Sequence, residues 1–276
     1  MKKLTHNHVL TIKFPIIAII IWFFVAILLQ PLGTTIVRLP GLIQNAELSD
    51  NLGSVLGGIL FLLLFKFWYK PEYKGVTKPA LSKKQLMLVC APVIAYTVII
   101  VVIGLIQYNG YWHNSIGSFI QALAAGFGEE IMFRASIIPI AMGFFKNERR
   151  TWLVPIITGI IFGLMHLGNI GSGATIANGI VQAVVTAFVG FYYGVLLVGT
   201  GSIVPGIFLH ALYDYTCFAG DPNLTSGIMT TQLAAWEIIV NIILAIALAG
   251  SGAWALQQIG EPKVLKIWKN KWGQKD

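Results

Sequence analysis

The stretch AAGFGEEIMFRASIIPI, residues 124–140, decides how the chain is interpreted. Two adjacent glutamates and an arginine lie inside a run that otherwise has the composition of a membrane span. The whole chain of 276 residues is 56% hydrophobic and 11% charged, whereas an average soluble domain is about 25% charged. The composition therefore predicts a polytopic helical membrane protein, and this stretch predicts a polar site within it.

Apolar runs long enough to cross a bilayer, about 17–25 residues each, recur along the chain. They occupy residues 14–32, 53–69, 87–107, 116–145, 152–168, 174–199, 202–218 and 233–256. The fourth is too long for one straight span, so we expect it to tilt or to break near Pro139, whose ring removes a backbone donor. The predicted fold class is all-α, with about eight transmembrane helices.

The basic residues are distributed asymmetrically between the connections of these spans. With the amino terminus in the cytoplasm, 17 of the 19 basic residues fall on the cytoplasmic side; the exceptions are Arg38 in an outer loop and Arg134 within the membrane. The positive-inside rule therefore predicts that both termini are cytoplasmic, in what we expect to be a bacterial plasma membrane. The net charge of +8 is explained by this placement, and no nucleic-acid partner is expected.

Aromatic residues near the predicted span ends are interpreted as anchors at the membrane interface. They are Trp68, Tyr69, Tyr111, Trp112, Trp152, Trp268 and Trp272. The lysine-rich residues 257–276 are expected to form a short surface tail or an interfacial helix.

Few ionisable residues remain at membrane depth, and each costs at least about 2.5–3.5 kcal/mol there. They are Glu129, Glu130, Arg134, His166, His210 and Asp214. At that cost, they are expected to face one another or a water-filled cavity. Glu237, near the outer boundary, is assigned a packing or snorkelling role.

Helical spacing divides these residues into pairs. Glu130 and Arg134 are four residues apart and can form an ion pair, whereas Glu129 is turned about 100° away from Glu130. His210 and Asp214, also four apart, share one helix face. A carboxylate near histidines is a plausible general base toward water, and a histidine can donate to the oxygen that becomes negative during attack on a carbonyl.

Three motifs carry a resemblance to a known family. EEIMFR (129–134) fits EExxxR, FGLMH (162–166) fits FxxxH, and HALYD (210–214) fits HxxxN/D. In this order and in separate predicted helices, they resemble the CPBP intramembrane proteases, also called the Abi family, which include the CAAX prenyl endopeptidases. The likeness covers roughly residues 115–218, the expected catalytic core. Residues 1–114 would be amino-terminal transmembrane helices, and residues 219–276 the last span and a basic tail.

The resemblance implies a role for each matched residue. Glu129 would activate water together with His166, and His210 with Asp214 would stabilise the oxyanion. Glu130 and Arg134 would support the site. The prenyl endopeptidases usually have asparagine where this chain has Asp214, and an ionised aspartate cannot donate a hydrogen bond. Asp214 is therefore expected to orient His210 as an alternative role.

The substrate implied by the resemblance is a membrane-bound or lipidated peptide or protein, and bacterial relatives are associated with bacteriocin processing and immunity. Glu129, His166 and His210 also have the composition of a catalytic zinc site, but their separation over three helices favours a metal-free mechanism. The alternatives are a zinc-dependent metalloprotease that uses these residues as ligands, and a non-catalytic immunity or transport protein.

Overall fold

The computed structural model describes residues 9–41, 43–225 and 228–274. His6 and His8, to which the sequence assigns no chemistry, lie outside the described residues, as do Lys2, Lys3 and Lys275. The described elements are α1 (Val9–Lys13), α2 (Pro15–Arg38), α3 (Ala46–Trp68), α4 (Lys83–Gln107), α5 (Ile116–Glu130), a π-helical turn (Ile131–Ala135), α6 (Ile138–Phe144), α7 (Arg150–Met165), α8 (Gly168–Gly171), α9 (Ile176–Thr200), α10 (Val204–Gly220), β1 (Leu224–Thr225), β2 (Ile228–Met229), α11 (Ala235–Ile259) and α12 (Glu261–Lys271).

The chain is an all-α polytopic membrane protein, as predicted. Within the described residues, six helices are long and apolar enough to cross a membrane: α2, α3, α4, α7 continued through α8, α9 and α11. The other two predicted spans correspond to the interrupted α5–α6 unit and to α10, which has 17 residues. The number eight therefore stays a prediction. Many large apolar side chains point away from the protein, among them Phe67, which is 69% exposed, and Ile116, which is 81% exposed, as expected of a lipid-facing surface.

The long fourth span is broken, and the break lies directly after the two glutamates. α5 ends at Glu130, the π-helical turn follows, and α6 begins at Ile138 with Pro139 in its first turn. Proline suits a first turn because its missing N–H would have no intrahelical partner there. The predicted break near Pro139 is therefore present, and a π-helical turn, a feature often found at functional sites, adjoins it.

The basic connections gather at one end of the bundle, which we call the basic end. The segment between α3 and α4 is held there, because Ala80 N–H donates to Thr200 O and Lys74 N–H to Lys271 O, each at 2.8 Å. Gln274 of the carboxyl-terminal segment donates to Gly143 O at 3.2 Å, which brings the α6–α7 connection to the same end.

The opposite end contains the connections that the charge pattern predicts to be outside. His113 N–H donates to Ala219 O at 2.8 Å, and Asn178 donates to Thr231 O at 2.7 Å. β1 and β2 form a short antiparallel hairpin in this region, with Leu224 opposite Met229. We call it the hairpin end.

The tail forms an amphipathic helix, α12, but its tryptophans are not interfacial anchors. Trp268 is 1% exposed and donates from Nε1 to Val198 O at 2.9 Å; Trp272 is 2% exposed and donates to Pro139 O at 2.8 Å. Tyr69, at 1% exposure, is also buried and accepts from the Trp22 indole at 2.9 Å. The interface interpretation is wrong for these three residues, because they are buried and hold elements of the basic end together. Trp68, in contrast, is 48% exposed as expected.

Candidate active site

Close approach of helix backbones brings the polar residues together. A Cβ at Gly126 of α5 would lie 2.8 Å from Ile207 O of α10, and one at Gly163 of α7 would lie 2.4 Å from Ala183 O of α9. Only glycine fits at such contacts, which are the usual way for membrane helices to pack tightly. α5, α7 and α10 can therefore direct their polar side chains into one space.

His210 is the centre of the cluster. Its Nδ1 lies 3.0 Å from Glu130 Oε1, and its Nε2 lies 3.5 Å from Glu129 Oε2 and 3.6 Å from Asp214 Oδ2. The Tyr193 ring stacks on the imidazole, with ring centroids 4.9 Å apart. Because an ionised Glu130 can only accept, Nδ1 carries the proton of this bond. Nε2 is then the nitrogen that faces the two remaining carboxylates.

Behind His210 lies an ion pair that is closed to solvent. Arg134 Nη1 lies 3.2 Å from Glu130 Oε1, and both side chains are 0% exposed. The guanidinium also lies over the Phe162 ring, with its central carbon 4.0 Å from the ring centroid, and Nη2 donates to Gly190 O at 3.4 Å. This is the ion pair that the four-residue spacing predicts. Buried charges of this kind persist only when paired and hydrogen-bonded.

His166 sits at the end of α7 and is held by its own helix. Its Nδ1 lies 2.9 Å from Phe162 O, and the two rings meet edge to face, with centroids 4.6 Å apart. A carbonyl can only accept, so Nδ1 carries the proton and Nε2 is the nitrogen left for other partners. Among the described residues, no hydrogen bond or ion pair joins His166 to Glu129, His210 or Asp214.

A cavity of about 710 Å³ unites the four residues to which the resemblance gives catalytic roles. Glu129, His166, His210 and Asp214 all line it. The Glu129 side chain is 32% exposed and that of Asp214 is 17% exposed, whereas Glu130 and Arg134 are not part of the lining. The adjacent glutamates thus have different environments, as their 100° separation on the helix predicts.

The cavity extends to the hairpin end, where Tyr108, Asp221 and Glu237 line it. Glu237 does more than the predicted packing or snorkelling, because it accepts hydrogen bonds from Gln107 and from the backbone N–H of Ala234. Burial raises the pKa of Tyr108 to about 12 and also raises the pKa of Asp221 above its usual range. The mouth therefore carries acidic and phenolic groups that are themselves partly shielded from water.

Uncharged amides form a further part of the lining that the search for ionisable residues missed. They are Gln30, Asn51, Gln107, Gln121, Asn169, Asn178, Gln182 and Asn241. Asn169 donates to Gln182 at 2.9 Å, so some of them are already paired. The sequence could have predicted this lining, because amides within apolar runs are also costly in lipid. Such side chains are expected to lie beside water or beside one another.

The polar residues described in the cavity do not form a set of metal ligands. Among residues 9–41, 43–225 and 228–274, no three His, Cys, Asp or Glu side chains are grouped so that they could hold a metal ion. Glu129 and His210 are close, but His166 does not join them at ligand distance. These residues are therefore better suited to proton transfer than to holding a metal ion.

Comparison with known families identifies a match to part of the chain. Residues 98–216 match the family model of the Type II CAAX prenyl endopeptidase Rce1-like proteins, and all four lining residues with expected catalytic roles fall within this range. No curated protein and no solved structure matches the chain.

Proposed function

We propose, from the premise that residues 98–216 are an Rce1-like domain of the CPBP family, that the protein hydrolyses a peptide bond of a membrane-associated substrate. The family consists of intramembrane endopeptidases, so the match supports peptidase activity at the level of the family. The observation that carries the proposal for this chain is the shared cavity of Glu129, His166, His210 and Asp214.

Glu129 is the residue we assign to water activation. It is the only one of the adjacent glutamates that lines the cavity, and Arg134 neutralises the other one. In the proposed step, Glu129 takes a proton from water while the oxygen attacks the carbonyl carbon of the scissile bond. The same proton is then transferred to the nitrogen of the leaving amine as the C–N bond breaks, which gives a carboxylic acid and an amine. The acid then gives its remaining proton to the amine, so that the products are a carboxylate and an ammonium group.

His210 is assigned to the oxyanion that this attack creates. Its Nδ1–H is fixed by Glu130, and two carboxylates face its Nε2, which favours the protonated ring with Nε2–H as a donor. A fixed donor aimed at developing negative charge is an effective catalytic device. Asp214 orients His210 and stabilises its protonated form. His166 offers Nε2 as a second proton acceptor during proton transfer to the leaving amine.

The substrate is proposed to enter from the hairpin end. The cavity reaches that end, and the amide side chains that line it are suited to hydrogen-bond the backbone of an extended peptide. Since the basic end is the predicted cytoplasmic face, entry would be from the opposite side of the membrane. The family description adds a CAAX motif with a prenylated cysteine as the first substrate class to test.

The experiment is hydrolysis by the purified full-length protein of matched peptides that end in a CAAX sequence, one farnesylated and one not. We expect cleavage by wild type and none by Glu129→Gln. Preference for the farnesylated peptide would support a prenyl endopeptidase, and equal cleavage would indicate a broader membrane-peptide specificity. Absence of cleavage of these and of a library of membrane peptides would contradict peptidase activity and favour the immunity or transport alternative.

Metal dependence is decided in the same assay by chelation and metal analysis. We expect activity to survive chelation and the active protein to contain less than one zinc per chain. One tightly bound zinc that is lost and regained together with activity would overturn the metal-free mechanism.

Entry from the hairpin end is tested by thiol labelling in cells of a Cys90→Ser/Cys217→Ser protein. An impermeant reagent should label Asn114→Cys, at the hairpin end, and not Lys146→Cys, at the basic end. The reverse pattern would place the cavity mouth in the cytoplasm.

A further inference from the structure

A second cavity lies at the basic end, and its lining is strongly cationic. Its volume is about 540 Å³. Six lysines line it, and we call them the lysine pocket: Lys66, Lys74, Lys78, Lys263, Lys266 and Lys271. The acidic residues described near this end, Glu72, Glu148 and Glu261, do not line the cavity.

The lysine pocket is assembled from three parts of the chain that are fixed to one another. Lys66 lies in the last turn of α3, two lysines lie in the α3–α4 segment, and the rest lie on α12. The segment and the helix are joined by the bond from Lys74 N–H to Lys271 O, at 2.8 Å. Ile203 N–H donates to Val76 O, also at 2.8 Å, so the segment is held from a second side. The lysines therefore meet through backbone structure rather than through chance side-chain conformations.

The charges in this pocket are poorly compensated by the protein. Lys271 is 8% exposed, and its Nζ donates to Lys78 O at 2.7 Å; Lys263 Nζ donates to Gln85 at 2.6 Å. Within the described part of the chain, no ion pair involves any of the six lysines. Burial, and then the nearby Lys74, lower the pKa of Lys271 below its usual range. An anion that binds between these like charges relieves their mutual repulsion and so lowers the free energy of the pocket.

We propose that the lysine pocket binds a phosphate-bearing anion at the membrane surface, either the headgroup of an anionic phospholipid or a free phosphate. Lysine ammonium groups bind phosphate as compact point charges, and basic pockets at the cytoplasmic ends of membrane helices accept lipid headgroups. Lipid-facing apolar surface continues directly from the pocket, because Leu63, three residues before Lys66 on α3, is 61% exposed. An acyl chain can lie along that surface while its phosphate lies among the lysines. The proposal is independent of the peptidase function.

The test uses the full-length protein in detergent and compares two triple variants that remove the same charge from the same end. The pocket variant is Lys66→Gln/Lys74→Gln/Lys78→Gln. The control is Lys83→Gln/Lys84→Gln/Lys146→Gln, whose lysines are exposed and outside the pocket. Lys271 is left unchanged because its bond to Lys78 O supports the fold. Each protein is incubated with phosphatidylglycerol or phosphatidylcholine, and the lipid retained per chain is measured by mass spectrometry.

We expect wild type and the control to retain phosphatidylglycerol over phosphatidylcholine, and the pocket variant to lose at least about tenfold of this preference. Equal loss in the two variants would overturn the proposal. A second arm titrates inorganic phosphate and follows thermal stability. Stabilisation of wild type by millimolar phosphate, with release of the lipid, would identify free phosphate as a sufficient ligand. Lipid retention without any response to phosphate would identify the lipid headgroup. If neither ligand binds, the proposal is wrong.

Discussion

The polar cluster has two layers that differ in their access to the cavity. The cavity layer consists of Glu129, His166 and Asp214, which line the cavity, and the sealed layer consists of Glu130 and Arg134, which are 0% exposed. His210 connects the layers, because its Nε2 faces the cavity layer and its Nδ1 faces the sealed layer. A turn of about 100° around the helix is therefore enough to give two adjacent glutamates different environments, one at the cavity and one sealed from solvent.

The largest effect is expected from Glu129→Gln in the cavity layer. Loss of the general base should lower the rate of hydrolysis about 10²–10⁴-fold, because the amide cannot accept the proton of water. Thermal stability should stay near that of wild type, since Glu129 is 32% exposed and its neighbour His210 keeps its contacts with Glu130 and Asp214. Glu47→Gln, an exposed change of the same type at the start of α3, is the control and should be fully active. Comparable rates for Glu129→Gln and wild type would remove Glu129 from the mechanism.

Glu130→Gln tests the sealed layer and should act on stability. The change leaves Arg134 buried without its partner, for which about 3–5 kcal/mol of stability is expected to be lost. Thermal unfolding in detergent measures this loss. The double variant Glu130→Gln/Arg134→Met removes both charges and should recover part of it. A single variant as stable as wild type would show that the ion pair does not hold the helices.

Gly206→Ala should disturb the sealed layer more gently. The added Cβ would lie 2.9 Å from Glu130 Oε2, and overpacking of this kind usually costs about 1–3 kcal/mol. Activity should fall as well, because Glu130 holds His210 in place. Gly250→Ala, where a Cβ meets nothing within 4 Å, is the matched control and should be neutral or slightly stabilising. Equal behaviour of the two variants would argue against tight packing around Glu130.

The smallest effect is expected from Asp214→Asn at the edge of the cavity layer. Asparagine keeps the volume and gains a donor that can face the oxyanion, so the variant should keep at least about a tenth of the wild-type rate. Asp214→Ala, which removes both functions, should be slower. If Asp214→Asn is as inactive as Glu129→Gln in the same assay, the Asp214 carboxylate takes part in proton transfer itself.

The sequence predicts most of the fold because span boundaries depend on local composition. The predicted runs and the observed helices coincide closely, and the break near Pro139 follows from the chemistry of a single residue. The π-helical turn could not be foreseen, because it depends on how α5 packs against its neighbours rather than on its own composition.

The candidate site also has features that the sequence predicts and features that only the packing of helices determines. The Glu130–Arg134 pair follows from spacing within one helix, whereas the contact of His210 with both glutamates depends on the crossing of α5 and α10. The tryptophans of the tail were misassigned for a related reason. An amphipathic helix with tryptophans suits either a membrane surface or a protein groove, and only the groove formed by α6, α7 and α9 decides between them.

The bond from Trp272 to Pro139 O has a consequence for the time at which the candidate site can be completed. Trp272 also fills the space above Gly143, where a Cβ would lie 2.4 Å from the indole nitrogen. The helix that follows the glutamates is therefore fastened by a residue that is synthesised much later. At typical synthesis rates, roughly 7–30 s separate the emergence of Glu129 from that of Trp272. During this interval the glutamates are already made, but the helix behind them is still unfastened, so the order of synthesis delays maturation of the site until residue 272 has been made.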